Sequence, residues 1–108
     1  MGNEIKASII FTPIECIEYA DSSVVSKTIL KKPAGNVTLF AFDKGEELSE
    51  HSTSHDALLQ ILDGNAEITI GGNMNNLQAG QSIILPANIP HFVKANEKFK
   101  MMLTMIKN

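Results

Sequence analysis

Hydrophobic residues fall along the chain in short stretches of four to eight, separated by Gly, Pro, Asn and Asp. Stretches of that length, bounded by turn residues, mark strands; amphipathic helices repeat their apolar positions every three or four residues over a longer span. Val24-Val25-Ser26-Lys27-Thr28-Ile29-Leu30 is rich in β-branched residues and runs into a turn at Lys31-Lys32-Pro33-Ala34-Gly35-Asn36. Val37 to Phe42 follows and stops at Asp43-Lys44-Gly45. Ala57 to Leu62 is nearly all apolar and, with the Asp63-Gly64 turn after it, predicts a buried strand. Ala66-Glu67-Ile68-Thr69-Ile70 alternates, burying one face and wetting the other, and Gly71-Gly72-Asn73 supplies the positive-φ residues of a tight hairpin. Ser82 to Leu85, His91 to Ala95 and Phe99 to Lys107 are further strands. The last is apolar on both faces, with Phe99, Met101, Leu103 and Met105 on one side and Met102 and Ile106 on the other, so it needs cover on both. Residues 5–18 predict one or two edge strands, around Ile9-Ile10-Phe11 and Ile14 to Tyr19, broken at Pro13.

Eight or more short strands without a long helical pattern predict an all-β fold, a double-sheet barrel of jelly-roll type. The 108 residues hold one domain, with N-terminal edge strands over residues 1–23 and the barrel over 24–108. No repeat, low-complexity segment or linker interrupts it.

Composition then removes classes of partner. With 44% hydrophobic and 19% charged residues the chain reads as a soluble globule. Its net charge is −3 and all nine basic residues are Lys, so the bidentate Arg reader of phosphate and guanine is missing and no nucleic-acid partner is expected. The longest apolar runs fall far short of the ~18 residues of a membrane span, so no membrane partner is expected either. The N-terminus has no secretory pattern, and the lone Cys16 can form neither an intramolecular disulfide nor a cysteine zinc cluster. The expected setting is the cytoplasm.

Candidate chemistry rests on three histidines. His51 and His55 lie in the polar insert Glu50-His51-Ser52-Thr53-Ser54-His55-Asp56, and His91 follows Pro86-Ala87-Asn88-Ile89-Pro90. In a strand, residues 51, 53 and 55 share a face, which would let imidazoles from separate strands converge on a metal. Spacing alone favours the plainer reading, a solvated Ser-rich loop and a histidine that merely follows a turn. Glu46, Glu47 and Glu50 read as a solvated strand start, Met101, Met102 and Met105 as packing residues, and Cys16 as a thiol with no activating neighbour in sequence.

Gly45, five residues, then His51, with Gly64 thirteen residues on, resembles the first cupin motif: Gly, five residues, His-x-His, three or four residues, Glu, six residues, Gly. Gly80-Gln81-Ser82-Ile83-Ile84-Leu85-Pro86-Ala87-Asn88-Ile89-Pro90-His91 resembles the second, which is Gly, five residues, Pro-x-Gly, two residues, His. Asn88 takes the place of a Gly and, like Gly, tolerates the left-handed conformation. The resemblance spans residues 24 to 107 and implies a small single-domain cupin, a double-stranded β-helix, commonly dimeric and carrying one divalent metal. His51 and His91 match the first and last ligands, while Thr53 stands where the second His belongs and Ala57 where the Glu belongs. A three-histidine site of His51, His55 and His91 is the replacement this implies, suited to Zn, Ni, Fe, Mn or Cu. Asp56 and Gln60 are oxygen donors nearby, though their strand parity sets them opposite Ala57. Two functions follow: a metal-dependent enzyme acting on a small-molecule substrate, or a metal-free barrel binding a small ligand. The doubly apolar last strand and the exposed edges point to a homodimer.

Overall fold

The structure, a computed structural model, describes residues 4–107. Its strands are β1 (Val24–Lys32), β2 (Gly35–Phe42), β3 (Glu47–His51), β4 (Asp56–Ile70), β5 (Asn73–Gln78), β6 (Ser82–Leu85), β7 (His91–Lys94) and β8 (Phe99–Ile106). Every pairing is antiparallel. The strands form one curled path, β1-β2-β8-β4-β7-β3, with β5 and β6 also paired to β4. Two facing sheets result, because β4 belongs to both. Its first half lies between β6 and β8, and its second half between β5 and β7. This is the all-β jelly-roll barrel that the strand pattern predicts.

The Asp63-Gly64 pair differs from its expected role. It lies inside one 15-residue strand, just past a bulge at Leu62, and is not a turn between two strands. Gly64 has φ of +76°, and a β-carbon there would run into the carbonyl oxygen of Lys98. The preference that makes Asp-Gly a turn signal serves equally well to bend a strand from one sheet into the other. At Gly71 and Gly72 the positive φ values of 55° and 84° form the β4–β5 hairpin as the sequence predicts. Strands β3 and β5 escape the hydrophobic pattern because both are mostly exposed and polar.

The interior is filled. Leu59, Ile61 and Ile68 of β4 meet Phe42, Val93, Phe99 and Met101 there. Phe42 and Phe99 stack with ring centroids 4.4 Å apart.

The expected N-terminal edge strands are absent from residues 4–23, where a single 3-10 turn (Pro13–Glu15) forms; residues 1–3 lie outside the described part. Pro13 interrupts any ladder, and the Ile5 N–H to the Ile29 carbonyl, at 2.9 Å, is the backbone bond that holds this segment beside β1. The segment packs through side chains instead, laying Ile17, Tyr19 and Ile5 over Ile29, Leu39, Ala41 and Met102 on the outward face of β1, β2 and β8. The buried Lys100 ammonium donates to the Ile14 carbonyl at 2.8 Å, and the Tyr19 hydroxyl donates to Asp63 Oδ2 at 2.6 Å. Burial, then the hydrogen bond and negative charge of Asp63, push the Tyr19 phenol well above its ordinary range. The second face of β8 thus receives part of its cover from the chain's own N-terminal segment. Among the described residues no helix is long and apolar enough to cross a membrane.

Candidate functional site

His51 ends β3 and His91 opens β7, and the two are register partners. Reaching that register takes one extra residue. Leu48 pairs with Val93 and His51 with His91, so three steps along β3 match two along β7, a bulge at Ser49-Glu50. Leu48 packs against the core. Three residues further along an unbulged strand, His51 would face the opposite side; the bulge turns it back toward His91.

The Nε2 atoms of the two rings lie 3.2 Å apart, and the rings meet edge to face with centroids separated by 4.3 Å. His51 Nδ1 lies 2.8 Å from the Ser49 carbonyl oxygen. That bond makes Nδ1 the protonated nitrogen of a neutral ring and leaves the Nε2 lone pair facing His91. His51 is exposed, whereas His91 is buried, with 6% of its surface accessible. Burial first, then the proximity of His51, lower the pKa of His91 below the ordinary histidine value; the Ile89 backbone works the other way. No hydrogen bond satisfies His91 Nδ1, which is fully buried.

His55 is not drawn into this pair. The strand ends at His51, so the parity that would align residues 51, 53 and 55 does not operate beyond it. His55 sits on the rim loop, where Thr53 Oγ1 donates to its carbonyl at 2.9 Å and Ser54 Oγ lies 3.4 Å from its Nε2. Its Nδ1 is buried without a partner. The loop is stitched to the turn before β7 by Asn88 N–H to the Thr53 carbonyl, 2.6 Å, and Ala87 N–H to Asp56 Oδ1, 2.7 Å. Asn88 has φ of 65°, the left-handed conformation expected of it. Asp56 therefore braces the rim. The register from Asp56 to Ile61 is unbroken, so Asp56 and Gln60 face away from the side that buries Ala57. Among the described residues no three His, Cys, Asp or Glu side chains are gathered closely enough to hold one ion. Sequence reasoning missed Ser49 as the group that orients His51, since a backbone carbonyl carries no sequence signal.

Two imidazoles on neighbouring strands at a barrel rim, behind a filled interior, give the geometry against which known proteins can be compared. The cupin-domain family profile matches residues 38–107. The chain belongs to the cupin family. A conserved Streptococcus pyogenes protein of unknown function is 34% identical, with a TM-score of 0.91 and coverage of 99% of this chain and 94% of its own. A cupin 2 conserved barrel domain protein from Leptotrichia buccalis is 40% identical over 87% of this chain and 46% of its own, with a TM-score of 0.84. A salicylate 1,2-dioxygenase mutant from Pseudoaminobacter salicylatoxidans shares the fold alone, at 13% identity, 77% and 26% coverage and a TM-score of 0.72. No curated protein matches the chain. Within this cupin, Thr53 spends its hydroxyl on the loop backbone and Ala57 is buried with no donor to offer, so neither position carries the family's usual ligand.

Proposed function

We propose that this cupin binds a divalent transition metal at its rim through His51 and His91, and that a small molecule is bound or transformed there. The observation that carries the reading is the 3.2 Å separation of the two Nε2 atoms. Two nitrogens each about 2.0–2.1 Å from a tetrahedral ion lie about 3.3–3.4 Å apart, so the pair is close to the spacing of two ligands sharing one ion. The Ser49 carbonyl holds His51 in the tautomer that offers Nε2, the outer support that metal-bound imidazoles commonly have. His55, on the adjoining rim loop with a buried and unpaired Nδ1, stands outside the pair and would complete the site as a third imidazole if that loop moves inward on binding. Zn, Ni, Fe, Mn and Cu all suit imidazole donors, and no thiolate narrows the choice. A bound ion would supply Lewis acidity toward a carbonyl or water. The protein's own part is to orient His51, hold His91 in the barrel wall and leave the solvent side open to a ligand.

Titration of the apo protein with Zn²⁺ or Ni²⁺ by calorimetry tests this. One equivalent should bind, and His51→Ala or His91→Ala should abolish binding. A second reading, a metal-free barrel that binds a small ligand, is favoured by Thr53 and Ala57 at ligand positions and by the lack of a three-donor group among the described residues. Equal, weak heats in the parent and both variants would decide for it.

A further inference from the structure

Where the N-terminal segment crosses the outward face of β1, β2 and β8, the two do not close on each other completely. A cavity of about 520 Å³ lies between them. Its floor is Ile29, Leu30, Val37, Met102 and Thr104, and its other wall is Ile5, Ile9, Phe11 and Pro13. A bulge in β1 shapes the floor: Thr28 pairs with Thr38 and Leu30 with Val37, which leaves Ile29 as the extra residue. Ile29 and Leu30 therefore both line the cavity, although neighbours on an unbulged strand would face opposite ways. On the other wall the chain turns at Ala7-Ser8, with Ser8 in the left-handed conformation at φ of 66°. Ile9 and Phe11 beyond that turn line the cavity, while Ile10 between them projects into solvent, 98% exposed.

The volume falls within the ~300–1,000 Å³ of small-molecule sites, and the lining is apolar apart from Lys6, Ser8 and Thr104. Such a cavity takes an apolar body, and charge decides what the body carries. Lys6, the one charged residue of the lining, is exposed and forms no ion pair among the described residues. A shallower hollow of about 250 Å³ continues past Leu30, Val37 and Thr104 to Lys32, a second cation without an ion pair among the described residues. The Glu4 carboxylate accepts the Lys31 N–H at 3.2 Å and lines neither hollow. In a chain of net charge −3, an apolar trough whose charged residues are both lysines selects an anionic head group.

We propose that this cavity binds a medium-chain fatty carboxylate, with its alkyl chain between the sheet and Ile9 and Phe11 and its carboxylate at the Lys6 ammonium. The site is separate from the histidine pair, which lies on β3 and β7, and does not depend on a metal there. Walls on two sides suit a single molecule. A lipid bilayer would instead meet Ile10, the residue of this segment that projects from the molecule.

Titration of the full chain with monomeric decanoate, followed by amide NMR shifts, tests the proposal. Binding should saturate at one equivalent and shift the Ile5, Leu30 and Thr104 amides while the core amide of Val93 stays in place. Val37→Trp, which fills the floor, should abolish binding, with its amide spectrum showing that the variant keeps its fold. Lys6→Glu should weaken decanoate by about five-fold or more and leave 1-decanol unchanged, because only the carboxylate meets the lysine. Shifts that never saturate, or a Val37→Trp variant that folds and still binds, would overturn the site. Decylamine binding as tightly as decanoate, or an unchanged decanoate affinity in Lys6→Glu, would overturn the carboxylate. Co-sedimentation with phosphatidylglycerol vesicles in the absence of decanoate binding would overturn the single-molecule ligand in favour of a membrane surface.

Discussion

At Gly64 a strand bends with φ of +76° while the Lys98 carbonyl closes off the space a side chain would need. Gly72 has φ of +84° with nothing within 4 Å of a β-carbon. Gly64→Ala should therefore cost about 3 kcal/mol or more, and Gly72→Ala about 1 kcal/mol, since both meet the left-handed penalty and the first also meets a backbone atom. Urea unfolding of the pair checks this, and equal losses would contradict it. Asp43 shows how local hydrogen bonds become pH dependence. The Ser22 N–H, then the Lys44 N–H, donate to its carboxylate and hold its pKa below the usual value. A carboxylate whose pKa is lower folded than unfolded adds stability above the unfolded value and loses it as pH falls toward the folded one. The parent should lose stability over that acid range, and Asp43→Asn should lose less; parallel pH profiles would refute the assignment. His55→Ala carries the residue-level test of the third ligand. It should weaken metal binding by about ten-fold or more, roughly 1.4 kcal/mol, and an unchanged affinity would leave a two-imidazole centre.

At the scale of elements, the N-terminal segment is held on the barrel by a few polar clamps above an apolar contact. Lys100, buried at the centre of that contact, donates to the Ile14 carbonyl in the turn. Lys100→Met should cost about 1.5–3 kcal/mol and speed hydrogen exchange at the Glu15 and Cys16 amides, which close the turn on Thr12 and Pro13, while core amides of β4 stay protected. Unchanged exchange at Glu15 and Cys16 would contradict the clamp. The apolar strands were legible because burial imposes a pattern: β1, β2, β6, β7, β8 and both halves of β4 can be read from it. β3 and β5 were not, because strands with few buried positions carry little hydrophobic signal. Ile9-Ile10-Phe11 misled in the opposite direction, being apolar yet exposed and unpaired in the single chain. The bend at Gly64 looked like a turn because the local requirement, a positive φ without a side chain, is the same for both.

For the whole molecule, the sequence placed His51 and His91 within one barrel rim through the spacing of two glycine-anchored motifs, and the structure brings their Nε2 atoms together. It could not show the Ser49-Glu50 bulge that aims His51, nor that the strand would stop before His55, because both depend on pairing with a partner strand and not on local pattern. His51 is the exposed member of the pair and His91 the buried one, so a ligand would reach the pair from the His51 side of the rim. Elemental analysis of untagged protein, beside His51→Ala and His91→Ala, tests the metal centre most directly. Close to one equivalent of a transition metal in the parent and none in either variant is the predicted result; a parent without metal after reconstitution with several divalent ions would contradict it.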